Sequence, residues 1–245
     1  LFLNLDTEAR PGFLEALVEG LERHPRAAFA GAKLHFPGAP PRLQHAGGMV
    51  YLNGMTDHHH NGAEDVGQAD EEREVDYVTG ACLLARRDRL EALGGFDEGF
   101  NPAYYEEVDL CLRAAYAGWS TVYVPSSVVV HHESAGLGGR RDPRVLRALY
   151  RGRRRLVARH WTPAAMVEAW WPTERWWFGI VEGREARPYV RESYREALRE
   201  IVVSNLRALL PWRRLAPLPA ARGTDGAPAP GVLDRVRLLP DVTKG

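Results

Sequence analysis

Lysine is almost missing from this chain. Of its 32 basic residues all but Lys33 and Lys244 are arginine, a bias that a GC-rich coding sequence explains without any functional demand. Cysteine is nearly as scarce. Cys82 and Cys111 lie in apolar segments without metal-ligand spacing, so they read as buried thiols of a reducing compartment. No apolar run approaches the roughly 18 residues of a transmembrane helix. Charge of one sign is not in excess: 32 acidic residues balance the basic ones, which removes the electrostatic footprint of a nucleic-acid binder. A signal peptide is lacking too, because Leu1-Phe2-Leu3-Asn4-Leu5-Asp6 is short and has no basic leader. An initiator methionine is also absent, and the start reads as the middle of a buried strand. The chain is therefore expected to be part of a longer protein.

What is present suits a soluble α/β protein. The 245 residues are 45% hydrophobic and 26% charged, enough for one large domain or a domain with an appendage. Residues 1–5 read as a short buried strand. Pro11 opens a helix over 11–23, with Phe13, Leu14, Leu17, Val18 and Leu21 at helical spacing. A strand over 27–36 ends at a proline-rich loop. Residues 45–75 read as a long polar surface loop with one hairpin near 47–53. Strand patterns follow at 75–85, 120–124 and 127–131, and helical patterns at 86–93 and 104–117. This alternation predicts a layered fold on a mainly parallel sheet. Beyond the glycine-rich 135–139 segment come an arginine-rich helix over 143–160, most of the tryptophans, and a helix over 191–210. The domain division expected is 1–142, a helical extension over 143–210, and a Pro/Ala/Gly-rich tail over 211–245.

The chemistry concentrates where strands end and helices begin. Asp6 follows the first strand, His131 and His132 end the last, and Glu106, Glu107 and Asp109 crowd the start of one helix. Carboxylates there face the positive end of the helix dipole, and one of them can serve as a general base. The bland alternative is a surface Asp109–Arg113 pair at i,i+4. Ligands of open α/β sheets bind beyond the strand ends. An Asp and a His meeting there beside a phosphate-bearing substrate would suit Mn²⁺ or Mg²⁺. His58-His59-His60 lacks zinc spacing and reads as a polar loop.

Four segments carry a family resemblance. They are Leu3-Asn4-Leu5-Asp6-Thr7 with Pro11-Gly12-Phe13; Val78-Thr79-Gly80-Ala81-Cys82-Leu83-Leu84 with Gly94-Gly95-Phe96-Asp97-Glu98; Tyr105-Glu106-Glu107-Val108-Asp109-Leu110-Cys111-Leu112-Arg113; and Val130-His131-His132-Glu133-Ser134. In this order they resemble the N-x-D-T metal motif, the middle segment, the Y-E-D-V-D-L-C-L-R segment and the strand-end histidine of family 2 glycosyltransferases. The flavour is that of the rhamnosyltransferase-like branch.

The resemblance implies a GT-A fold whose N-terminal βαβ nucleotide-binding part is missing from this chain. It implies an inverting transfer from a nucleotide-activated sugar, dTDP-rhamnose being one candidate, to a glycan or polyprenyl-linked acceptor of a cell-surface polysaccharide. Asp6 and His131 would hold the metal. Glu107 would be the base, standing where the family has Asp, with Glu106 beside it. Asn4 and Arg140 would contact the donor, and Asp76, Gly80, Tyr105 and Asp109 would shape the acceptor pocket. The setting implied is cytoplasmic. Peripheral membrane contact is the sharper reading of Arg144, Arg147, Arg151, Arg154 and Arg155 together with the tryptophans, and a solvated face is the commoner one. Two other functions stay open: an inactive scaffold or binding subunit on the same fold, and a metal-dependent nucleotidyltransferase.

Overall fold

The computed structural model describes residues 1–132 and 142–208. Its elements begin with two short strands, β1 (Phe2–Leu3) and β2 (Thr7–Ala9), then helix α1 (Phe13–Arg23) and the long strand β3 (Ala27–Phe36). Strands β4 (Arg42–His45), β5 (Gly48–Val50), β6 (Thr56–His58), β7 (Arg73–Val75) and β8 (Cys82–Ala85) follow. Helix α2 (Arg87–Leu93) and helix α3 (Glu106–Tyr116) precede strand β9 (Ser120–His131). The C-terminal part is helical: α4 (Pro143–His160), α5 (Pro163–Ala165), a π-helical turn (Met166–Trp170), α6 (Trp171–Trp177) and α7 (Val181–Ala208).

The main sheet runs β1-β8-β3-β9-β2, with β4 also paired to β3 and β7 to β9. Only β3 and β9 pair in parallel; every other described ladder is antiparallel. The sheet is thus mixed, which corrects the expected mainly parallel one. The physical reason is connection: the short strands around the β3–β9 spine arrive by turns and loops rather than by crossover helices. A second correction concerns β9. The sequence pattern predicts two strands, 120–124 and 127–131, but one strand runs through, and its register against β3 jumps from Ala32↔Val124 to Lys33↔Val128. The extra residues form an irregularity that the ladder absorbs.

β3 is buried on both faces, and its small residues let neighbours approach. A Cβ at Gly31 would lie 2.3 Å from Val78 Cβ. On one face α1 packs Ala16, Leu17, Gly20 and Leu21 against the sheet, while Leu14 and Val18 stay exposed, so the buried stripe is narrower than the sequence spacing suggested. On the other face α3 and α4 share a core with the sheet, through Val108, Cys111 and Leu112 of α3, Leu156 and Val157 of α4, Phe29 and Leu83. Burying one such leucine stabilises the fold by roughly 1.5–3 kcal/mol.

Two tyrosines set the entry to α3. Tyr104 and Tyr105 both have φ of 75°, in the left-handed region, which costs on the order of 1–3 kcal/mol each. The turn is backed by α4. A Cβ at Gly152 would lie 2.6 Å from the Tyr104 carbonyl oxygen and 3.1 Å from Tyr105 Cδ2, so only glycine fits there.

The C-terminal helices dock on α4. Tyr150, Trp177, Ala186 and Val190 form a small core, and the buried Arg153 pairs with the buried Glu174 while donating to the Asn53 carbonyl oxygen at 2.8 and 3.0 Å. The last helix begins earlier than its sequence pattern suggested and carries Pro188 within it. Residues 133–141, and the tail expected over 211–245, lie outside the described residues.

Candidate active site

One rim of the sheet collects the chain ends that matter. β1 leaves the sheet there at Leu3, opposite Cys82, where β8 enters. β9 ends there at His131, paired with Thr7 at the start of β2. The segment Asn4-Leu5-Asp6 bridges these ladders. The Asn4 N–H donates to the Ala81 carbonyl (3.0 Å), and the His132 N–H donates to the Asp6 carbonyl (2.9 Å). α3 starts at the same rim, with Gly80 against it: a Cβ at Gly80 would meet the Glu107 Cβ at 4.0 Å.

Asp6 and His131, remote in sequence, face each other, with Asp6 Oδ1 3.3 Å from His131 Nε2. Asn4 Nδ2 donates to the same ring nitrogen at 3.4 Å. On the far side of the ring, Gln44 Oε1 lies 2.8 Å from Nδ1, and Gln44 Nε2 donates to the His131 carbonyl at 3.3 Å. His132 points the other way, to Glu8 at 2.7 Å, as strand alternation requires. A carboxylate oxygen from the β1–β2 turn and an imidazole nitrogen from the end of β9 form a donor pair suited to a divalent ion. Among the described residues no group of three or more His, Cys, Asp and Glu side chains is placed to hold one. A divalent ion held here would thus have two ligands among the described residues, Asp6 and His131.

Glu106 and Glu107 open α3. One oxygen of each, Oε2, is shut from solvent without a hydrogen-bond partner among the described residues. Burial, and then the Glu106 charge, push the Glu107 carboxyl well above the usual range, although the backbone N–H groups of Glu107, Gly80 and Val108 pull it down. Burial raises Glu106 as well. The Glu106 charge makes Glu107 harder to ionise.

Asp109 is different. Its side chain is fully buried and tied on every side: Arg113 Nε donates to Oδ2 at 2.8 Å, and Oδ1 accepts from His160 Nε2 at 2.8 Å and Arg159 Nε at 3.1 Å. Burial would raise its carboxyl, but the His160 hydrogen bond and the Arg113, His160 and Arg159 charges outweigh it and hold the group below its ordinary value. The i,i+4 pair with Arg113 exists, though buried rather than on the surface. Asp109 thus joins α3 to α4 and does not reach the acceptor side.

The other expected acceptor contacts divide. Gly80 lines the rim beside Glu107. Asp76 accepts the Val50 N–H at 2.9 Å and pins the β5–β6 hairpin. Tyr105 is buried in the main core, its hydroxyl pushed up to about 12 by burial, so its side chain supports the turn and does not face an acceptor. Arg140, expected to contact the donor, lies outside the described residues.

Most α4 arginines have protein partners. Arg147 pairs with Glu192 at 3.0 Å, Arg151 donates to the Gly99 carbonyl at 3.2 Å, and Arg155 pairs with Asp97 at 3.0 Å. His58 also has one: its ring packs edge-on to His45 at 4.4 Å, and its Nδ1 lies 2.9 Å from the Gln44 carbonyl oxygen. Gln44 was not legible as a site residue, since a buried glutamine in a four-residue strand carries no motif.

Residues 2–157 match the model of a family described as glycosyltransferase like family 2. An N-acetylglucosaminyl-diphospho-decaprenol L-rhamnosyltransferase of Mycobacterium tuberculosis is 36% identical over 155 residues, covering 57% of this chain and 48% of that protein. An O-antigen biosynthesis protein, RfbC, of Myxococcus xanthus is 36% identical over 142 residues, covering 55% of this chain and 11% of that one. The chain thus spans about half or less of the length of these relatives. A crystal structure of GalNAc-T7 with UDP, GalNAc and Mn²⁺ superposes with a TM-score of 0.51 at 13% identity, over 79% of this chain and 37% of that one, and shares the fold.

Proposed function

The chain belongs to glycosyltransferase-like family 2, and from that membership we propose that it carries the metal and acceptor half of an inverting sugar transferase for cell-surface polysaccharide. The observation that carries this reading is the Glu107 carboxyl, raised by burial and by Glu106, on the same rim as the Asp6–His131 pair.

Each residue then has a task. Glu107 takes the proton of an acceptor hydroxyl as that oxygen bonds to the anomeric carbon of the donor sugar. The bond from that carbon to the nucleoside diphosphate breaks, and the diphosphate leaves with the electron pair. A carboxyl raised by burial is, once it gives up its proton, a stronger base than an ordinary carboxylate. Attack from the face opposite the leaving group inverts the anomeric centre. Asp6 Oδ1 and His131 Nε2 would hold Mn²⁺ or Mg²⁺, which when bound neutralises charge on the diphosphate. Asn4 keeps the His131 ring in place beside the donor. Gly80, lacking a side chain, leaves room at Glu107.

The donor is a nucleotide sugar, with dTDP-rhamnose first among candidates because of the rhamnosyltransferase relatives. A polyprenyl-linked acceptor fits the relative whose name includes diphospho-decaprenol. Among the described residues no helix is long and apolar enough to cross a membrane. Trp171 and Trp176, 51% and 38% exposed, would instead rest on its inner, cytoplasmic surface. Loss of sedimentation with anionic vesicles on replacing both by serine is the check; unchanged sedimentation removes them from that role.

The test of the whole reading is nucleoside diphosphate release from a panel of nucleotide sugars with an acceptor lipid and Mn²⁺, in the intact protein. Asp6→Ala should abolish metal-dependent donor binding. Binding that is the same with and without chelator, in wild type and variant, removes Asp6 from a metal site. Release of pyrophosphate from a nucleoside triphosphate and a sugar phosphate would mark a nucleotidyltransferase instead.

A further inference from the structure

Strand β4 contains a bulge, and the bulged residue is Gln44. Along the β3–β4 ladder, Phe36 pairs with Arg42 and His35 with Leu43, but the next β3 residue, Leu34, pairs with His45. One residue of β4 is therefore passed over, and its side chain is free of the alternation that fixes its neighbours. Bulges re-aim side chains and recur beside active sites. Here the displaced side chain is 2% exposed and reaches across to the end of β9.

The hydrogen bonds fix which way the amide points. Gln44 Nε2 donates to the His131 carbonyl oxygen, so Oε1 is the atom facing Nδ1 at 2.8 Å. A carbonyl oxygen only accepts, so Nδ1 carries the ring proton. The opposite nitrogen, Nε2, then holds a lone pair. Asn4 Nδ2, a donor, faces that lone pair at 3.4 Å, whereas Asp6 Oδ1, an acceptor at 3.3 Å, matches it only with a cation between the two. The lone pair is aimed at the space shared with Asp6 Oδ1. The backbone of Gln44 is held as well, by His58 Nδ1 at 2.9 Å from its carbonyl oxygen.

We propose that Gln44 is a positioning residue: its bulge exists to fix His131 as the Nδ1–H tautomer, with Nε2 open toward Asp6. A histidine that binds metal through one nitrogen is commonly oriented by a hydrogen bond from the other. The consequence for metal affinity rests on the proposed function; the tautomer itself does not.

The experiment reads the two separately. In the ¹⁵N-labelled chain, two-bond ¹H–¹⁵N correlations of His131, assigned by their loss in His131→Ala, should show a protonated Nδ1 and a bare Nε2. Gln44→Glu retains an acceptor and should retain that pattern. Gln44→Leu should lose it, with Mn²⁺ dissociation constants raised about tenfold or more, as for other lost supports of a metal-binding histidine. A wild-type ring protonated at Nε2, or a Gln44→Leu protein with the wild-type pattern, overturns the proposal. Should Gln44→Leu fail to fold, a switch to Nε2–H in Gln44→Glu overturns it equally. A protein that shows the expected pattern and its loss, yet binds no Mn²⁺ in any form, upholds the role of Gln44 and sinks the metal reading alone.

Discussion

Two faces of one helical turn treat the same functional group in opposite ways. At the start of α3, Glu106 and Glu107 are partly buried with no cation against them among the described residues, and their carboxyls are raised. Two residues on, Asp109 is fully buried among Arg113, Arg159 and His160, and its carboxyl is lowered. Burial acts in the same direction on all three; the difference is compensation. A buried acid with partners on every lone pair is a tie, and removing it leaves stranded charges. A buried acid without partners is a cost to the fold, tolerated where proton transfer needs it.

The largest expected effect comes from breaking the tie. Asp109→Ala should destabilise the protein by about 3–5 kcal/mol, the usual result of stripping one member from a buried ion network, as read by urea unfolding. A loss below about 1 kcal/mol would place Asp109 in the same class as its acidic neighbours. Next, Glu107→Gln should lower sugar transfer about a hundredfold or more, as for a lost general base, while leaving thermal stability equal or higher. A variant that loses stability along with activity would make Glu107 structural and collapse the contrast.

The pH dependence of stability sharpens the contrast with a smaller signal. The Glu107 carboxyl titrates higher folded than unfolded, so its contribution is intact below the ordinary 4.5 and is lost as pH rises through the raised folded value. Glu107→Gln should therefore gain on wild type as pH rises. The Asp109 carboxyl titrates lower folded than unfolded, so its contribution is present above the ordinary 3.8 and is lost as pH falls through the depressed folded value. The gap between wild type and Asp109→Asn should close on acidification. Thermal melts across the acidic and neutral range decide both; parallel curves for either variant count against its assignment.

Much of this was legible in the residues. The strand pattern over 27–36 is β3, and α3 and α4 begin and end within two residues of their expected bounds. The motif order brought Asp6, His131 and Glu107 to one rim because each sits at an element end, where local pattern is strong. The remainder depended on partners far along the chain. Asp109 read as an acceptor-pocket residue or, more blandly, as a surface pair with Arg113, since nothing local announces Arg159 and His160. Tyr105 sits inside the most site-like segment yet packs inward, because a left-handed turn reverses the face a helical pattern assigns it. β4 was hidden in a polar stretch, and Gln44 with it, because a bulge breaks the very alternation by which strands are recognised. Strand direction was misjudged for a related reason: apolar runs report burial, not polarity of pairing.

Gly152 carries the contrast into the shape of the molecule. Glycine inside a helix costs roughly 0.8–1 kcal/mol relative to alanine, yet a methyl group at this point of α4 would collide with the Tyr104 carbonyl. One hydrogen atom thus works as a gauge, seating the acidic turn at a set depth against the opposing helix. The depth of the Glu106–Glu107 turn is set from behind, through the Tyr104 backbone and the Tyr105 side chain.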